Sequence, residues 1–124
     1  MPDLILKKES YSLLGVLFDV HNQLGSGFSE IVYKDALEYE FNALNIPFER
    51  EKEYKVKYKD VVLKHKFYAD FVVFEKIILE VKSCETFTDS HIAQCINYIK
   101  ISNNKLALLV NFKQDKLDYR RIVL

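Results

Sequence analysis

The sequence predicts a mixed α/β domain in which helices cover a central sheet. Three observations carry that prediction. From about residue 8 to residue 45, apolar positions recur at helical steps, with one glycine-rich break between them. From residue 54 to residue 81 the chain is rich in β-branched and aromatic residues, at first alternating with lysine and then almost continuously apolar. A third helical pattern, 88–102, separates these strands from two more, so the order is α-α-β-β-β-β-α-β-β. With 124 residues and a mass of 14.6 kDa, the chain makes one domain, 1–124.

The first helix, about 8–23, carries Leu13, Leu14, Leu17, Phe18 and His21. Leu24-Gly25-Ser26-Gly27 is the strongest break in the chain. Ser29 to Asn45 reads as the second helix, with Tyr33, Leu37, Phe41 and Leu44 as its buried stripe. Asn45-Ile46-Pro47 ends it, because a residue before proline avoids the helical region. In the first strand Tyr54, Val56 and Tyr58 face one way and Lys55, Lys57 and Lys59 the other. Lys59-Asp60 turns the chain and Val61 to Lys66 returns. Phe67 to Phe74 and Ile77 to Val81 are apolar at nearly every position, as strands covered on both faces are. Thr88 or Asp89 caps the third helix, whose stripe is Ile92, Cys95, Ile96 and Ile99. Leu106 to Val110 and Tyr119 to Val123 complete the sheet.

Eighteen basic residues balance eighteen acidic ones, which excludes binding to nucleic acid by bulk charge. The sum hides its distribution. Residues 28–51 hold six acids and two bases, whereas residues 52–66 hold six lysines and two acids. The lysines at 55, 57 and 59 are candidate phosphate contacts; the plainer account is a solvated or protected strand face. Cys84 and Cys95 lack the spacing of a disulfide scaffold or metal knuckle and read as free, buried thiols in a reducing compartment. The N-terminus shows no signal-peptide pattern and no stretch is long enough to span a bilayer, so a cytoplasmic protein without membrane contact is expected.

Three places break the apolar pattern. Asp70 interrupts Tyr68-Ala69-Asp70-Phe71-Val72-Val73-Phe74; Glu80 and Lys82 end Ile77-Ile78-Leu79-Glu80-Val81-Lys82; and Glu30 stands three before Tyr33, on the stripe of its helix. Charges in such surroundings cost several kcal/mol, on the order found for buried ions, unless they are paired or bind metal. If the two apolar strands form a hairpin with a three-residue loop, Phe74-Glu75-Lys76, then Phe71 meets Leu79 and Asp70 lies opposite Glu80. Asp70, Glu80 and Lys82 then share a face. A two-residue loop would set Asp70 opposite Val81 instead. Two such carboxylates, with the backbone carbonyl of Val81 between Glu80 and Lys82, make a hard-oxygen site suited to Mg2+ or Mn2+. A neighbouring lysine can orient an attacking water or balance charge on a phosphodiester. The bland alternative is a structural ion pair. Glu30 has one as well, a carboxylate at a helix start.

Asp70, nine residues, then Glu80-Val81-Lys82 resembles the D…E-x-K core of the PD-(D/E)XK nuclease superfamily, with its restriction-endonuclease-like fold. Gly27-Phe28-Ser29-Glu30-Ile31-Val32-Tyr33 is similar to the G-x-x-E-x-x-Y signature of the GxxExxY family within it. Tyr68-Ala69-Asp70, Gln94-x-x-x-Tyr98 and Leu109-Val110-Asn111-Phe112 resemble further elements of that family in the same order. Ala69 stands where the superfamily's name has proline, and no glycine follows Asn111-Phe112. The resemblance implies a metal-dependent nuclease acting on nucleic acid; it does not supply the substrate, and DNA is expected ahead of RNA. Asp70 and Glu80 would hold Mg2+ or Mn2+, Lys82 would position the water, and Glu30 and Gln94 would support them. Tyr33 reads as core, and His65 and His91 as ordinary surface residues. The alternative function is a non-catalytic module binding nucleic acid or protein on the same fold. A homodimer would supply the target-selecting surface that so short a chain lacks.

Overall fold

The structure, a computed structural model, describes residues 6–124; the absence of a targeting pattern in residues 1–5 lies outside them. Helices α1 (Lys7–Leu24) and α2 (Glu30–Ala43) precede strands β1 (Phe48–Tyr58), β2 (Val61–Val73) and β3 (Ile77–Lys82); helix α3 (Asp89–Ser102) and strands β4 (Leu106–Asn111) and β5 (Asp118–Val123) follow. The five strands run in sequence order across one sheet. Every neighbouring pair is antiparallel except β3 and β4, which are parallel and joined through α3. Among the described residues no helix is long and apolar enough to cross a membrane.

The sheet has two apolar faces, and each is covered. Leu13, Leu17 and Val20 of α1 and Tyr33, Leu37 and Phe41 of α2 pack against Phe71, Val73, Leu79, Val81 and Leu108. On the other face Cys95, Tyr98 and Ile99 of α3 pack against Ala69, Val72, Ile78, Ala107 and Leu109. β3 and β4 sit between these layers and are apolar at successive positions because neither face meets water.

Several expectations are corrected. The apolar segment from Phe67 is not a strand of its own. It continues Val61–Lys66 as one thirteen-residue strand, passing from solvent into the core, so the change in composition marks burial rather than a break. β1 begins at Phe48, earlier than the lysine alternation suggests. Its charged first half is held by Arg50, which pairs with Asp35 at 2.8 Å and lies over the Phe71 ring. Leu44 falls outside α2 and is exposed. Tyr58 is exposed, and Lys59 sits in the turn at φ 53° rather than on the strand face. Tyr98, which is not among the expected stripe residues Ile92, Cys95, Ile96 and Ile99, is buried. Both thiols are free, but only Cys95 is buried.

Tyr33 explains how α2 starts. Its ring stacks on Phe112 at 4.4 Å, and its hydroxyl donates to the Gly25 carbonyl and accepts from the Phe28 amide. Gly25 and Gly27 both have positive φ, 72° and 105°, which a side chain would strain. This turn closes α1 and directs the first residue of α2 toward the end of β3, where the Ser83 hydroxyl donates to the Phe28 carbonyl.

Candidate active site

The β2–β3 hairpin has the register that the three-residue loop requires. Phe71 pairs with Leu79, Val72 with Ile78 and Val73 with Ile77. Phe74 and Glu75 turn the chain at positive φ, and the Lys76 amide donates to the Val73 carbonyl.

One rung further the ladder opens, and side chains take over its hydrogen bonds. The Asp70 amide donates to Glu80 Oε2 at 2.7 Å, and the Val81 amide donates to Asp70 Oδ2 at 2.8 Å. Each carboxylate thus caps the backbone of the other strand, while β3 stays paired with β4 as far as Lys82 and Asn111. In an antiparallel ladder a residue's N–H and C=O point to the same neighbour. The Val81 carbonyl is therefore on the edge that β2 vacates.

The opening has a counterpart on β1. Regular pairing would set Glu51 opposite Asp70, but that pair is missing and Glu51 has φ 53°. Before this rung Phe48 and Arg50 face α2; after it Tyr54 packs on the α3 side. β2 changes face at the same place, Phe71 packing with α1 and α2, Ala69 with α3. Alternation alone keeps such residues on one face, so the irregular rung swaps the two sides of the hairpin.

Lys34 of α2 fills this irregularity. Its ammonium lies 3.0 Å from Asp70 Oδ1 and also pairs with Glu51, and its side chain is 11% exposed. Burial lowers its pKa, but the hydrogen bonds it donates to Glu51 and Asp70 outweigh that and the net shift is upward. Sequence reasoning missed Lys34. The signal was present: it stands three before Leu37 and seven before Phe41, a lysine on an apolar helix face.

Glu80 is 3% exposed. Burial, then the charge of Asp70, pushes its carboxyl up to about 8; the Asp70 amide, Lys82 and Lys34 act in the opposite sense. Two carboxylates that resist sharing their negative charge are what a cation relieves. Lys82, half-buried, forms no ion pair among the described residues, although its charge is felt at Glu80, Cys84 and His91. Among the described residues Gln94 has no hydrogen bond to Asp70 or Glu80. It donates to the Tyr98 hydroxyl at 3.0 Å, which donates to the Tyr68 carbonyl at 2.8 Å, two residues before Asp70. Burial and then the charges of Glu80 and Asp70 raise the Tyr98 phenol. The Cys95 thiol is pushed to about 12, by burial first and Glu80 second.

Glu30 departs from expectation. As the first residue of α2 it is exposed rather than on the buried stripe, because the stripe runs through Tyr33 and Lys34. It has no hydrogen bond or ion pair with Asp70, Glu80 or Lys82 among the described residues. It lines a shallow cleft with Gly27, Phe28, Ser83 and Lys113, and its charge reaches Cys84 and His91.

Asn111, which the sequence offered only as part of a motif, proves to be a structural joint. Fully buried, it accepts from the Cys84 and Lys113 amides and donates to the Cys84 carbonyl, fixing the chain as it leaves Lys82.

Among the described residues no group of three or more His, Cys, Asp or Glu side chains is placed to hold a metal. The donor set is two carboxylates and a carbonyl edge. That fits magnesium or manganese, since magnesium is commonly held by one or two carboxylates and keeps several waters.

The sheet and its helices, the two carboxylates on adjacent strands and the lysine two residues on define a PD-(D/E)XK-type core. The sequence matches the PD-(D/E)XK nuclease superfamily over residues 7–122, and the chain belongs to that superfamily. Its nucleases generally use divalent metals and act on nucleic acid. Among solved structures, the crystal structure of SSO0001 is similar at 21% identity with a TM-score of 0.58, covering 74% of this chain and 48% of that one. The chain spans about half the length of that protein, and the likeness is one of fold. A search of curated proteins finds no match.

Proposed function

We propose that this protein is a metal-dependent nuclease, hydrolysing phosphodiester bonds of DNA, of the GxxExxY type. The observation that carries the reading is the Asp70–Glu80 pair at the opened end of the β2–β3 hairpin, with Lys82 unpaired two residues on. Asp70, Glu80 and the Val81 carbonyl would hold Mg2+ or Mn2+, with Glu30, which lines the cleft beside Ser83, joining through water. The ion, when bound, supplies a Lewis acid for the phosphoryl oxygen. Lys82 does the rest from the protein's side. Its ammonium orients the attacking water and balances the negative charge gathering on phosphorus. Glu80 is buried, which keeps bulk water from one side of the pair. Gln94 acts at one remove, by fixing Tyr98 and through it the backbone before Asp70. Lys55, Lys57 and Lys59 are exposed and free to meet phosphates, so substrate docks on the hairpin and away from the acidic outer face of α2.

A cleavage panel on single- and double-stranded DNA and RNA with Mg2+ or Mn2+ tests this. Wild type should cleave, and Lys82→Ala and Asp70→Ala should not. Full-rate cleavage in both variants would sink the mechanism. A second reading has one observation in its favour: Asp70 and Glu80 are already satisfied by backbone amides and Lys34. On that reading the protein is a non-catalytic module that binds nucleic acid or protein. Salt-sensitive DNA binding without any cleavage would select it. Analytical ultracentrifugation would show whether a homodimer forms.

A further inference from the structure

We infer that Lys34 is a built-in counter-ion that closes the Asp70–Glu80 site when no metal is bound and leaves Asp70 when a divalent cation enters. The inference rests on the proposed metal role of that pair and adds a gate to it.

A lysine on the buried face of α2 is costly unless its charge is met. Here it is met twice, by Asp70 from β2 and by Glu51 from β1. Those two residues form the one rung at which both strands change face, and the backbone of Glu51 takes positive φ there. A non-glycine residue adopts that conformation inside a strand only when its surroundings hold it. The arrangement therefore brings two carboxylates to one ammonium at the edge of the site.

The oxygens of Asp70 divide the work. Oδ2 accepts from the Val81 amide, and Oδ1 is taken by Lys34 at 3.0 Å. Oδ1 is the oxygen left for any incoming ligand, so a cation on Asp70 competes with Lys34 for it. Two cations sharing one carboxylate oxygen repel strongly at that range, all the more where water is largely excluded. Lys34 has somewhere to go. Glu51 is half exposed, and pairing with it alone keeps the ammonium neutralised at the rim of the site. The device thus has two positions for one charge: shared between Glu51 and Asp70 without metal, and on Glu51 with it. It sets a threshold of metal concentration for activation.

The test is titration of the whole chain with Mn2+ alone, without nucleic acid, read by calorimetry and by electron paramagnetic resonance of free Mn2+. Lys34→Met keeps the aliphatic stem and removes the charge; it should bind Mn2+ at least tenfold more tightly than wild type. Lys34→Arg keeps the competitor and should stay within about threefold. Glu51→Gln weakens the alternative seat and should bind several-fold more weakly. The rise in melting temperature on adding Mn2+ should be larger for Lys34→Met than for wild type. If Lys34→Met does not fold without metal, Lys34→Gln, which retains donors to both carboxylates, replaces it with the same expectation. Wild type binding with Lys34→Met unchanged or weaker overturns the gate and leaves the metal site standing. No binding by wild type or any variant overturns the metal reading and the gate together.

Discussion

The inner and outer parts of the β1–β2 hairpin are made from the same two strands, yet they treat charge in opposite ways. In the inner part the most buried charges have partners on other elements. Arg50 reaches Asp35 on α2, and Lys34 reaches back to Glu51 and Asp70. In the outer part Lys55 pairs directly across the ladder with Lys66, like charge opposite like charge. Such pairs are destabilising. Glu53 relieves Lys66 at 3.4 Å, but Lys57, Lys59 and Lys64 have no ion pair among the described residues. The outer residues from Lys57 to Lys66 are all exposed, so water screens what the core could not bear. The inner half uses charge to build a site; the outer half stores it where an anion can collect it.

This contrast can be broken at either end. The largest effect belongs to the inner end: Lys82→Ala should lower metal-dependent cleavage by about 100- to 1,000-fold, the usual range for loss of one group that stabilises transition-state charge, with the melting temperature nearly unchanged. Next comes packing. Phe71 is fully buried beneath Arg50 and between Phe41 and Phe48, so Phe71→Ala should cost about 3–5 kcal/mol in urea unfolding. Third is the pH dependence of Glu80. Its folded pKa is raised to about 8, so the native state holds a proton that the unfolded chain releases near its ordinary value. That contribution to stability is complete below pH 4.5 and is lost as the pH rises toward 8. Glu80→Gln should therefore stabilise the metal-free protein at pH 8, by on the order of 2 kcal/mol, and much less at pH 5. A stability curve as steep in the variant as in wild type would remove Glu80 as its source. The smallest effect on folding belongs to the outer end. Replacing Lys55, Lys57 and Lys59 by alanine should leave stability within about 0.5 kcal/mol and lower the salt slope of DNA binding by about three. An unchanged slope would reduce the hairpin face to solvation.

The register of the β2–β3 hairpin was legible because loop length and the parity of a strand leave few choices, and Phe71 had to meet Leu79 if Asp70 was to meet Glu80. The helices were legible from their stripes, and the α3 cap from Thr88, whose hydroxyl accepts from the His91 amide. Lys34 was not, because what makes it meaningful is Asp70, 36 residues away, and a helix wheel shows only that it is out of place. The irregular rung was hidden for a different reason. Nothing in Glu51 announces positive φ as glycine or asparagine would; tertiary contacts impose it. Even burial parity misleads there, since Phe48, Arg50, Lys52 and Tyr54 keep the period of two while the face they cover changes. Tyr98 was misplaced because its ring enters the core while its hydroxyl is spent on the Tyr68 carbonyl, a mixed role that binary patterning cannot express.

Asn111 has a consequence for how this chain can change. Its amide stitches the segment after β3 to the end of β4 at Cys84, two residues past Lys82. Lengthening the chain at Ser83 would shift that stitch and with it the lysine. Lengthening it beyond Glu85, before the Thr88 cap, would add a loop downstream of the stitch and leave the lysine where it is. The rim of the site is thus divided into a stretch closed to insertion and one open to it, and new surface for choosing a target can be grafted on the open side.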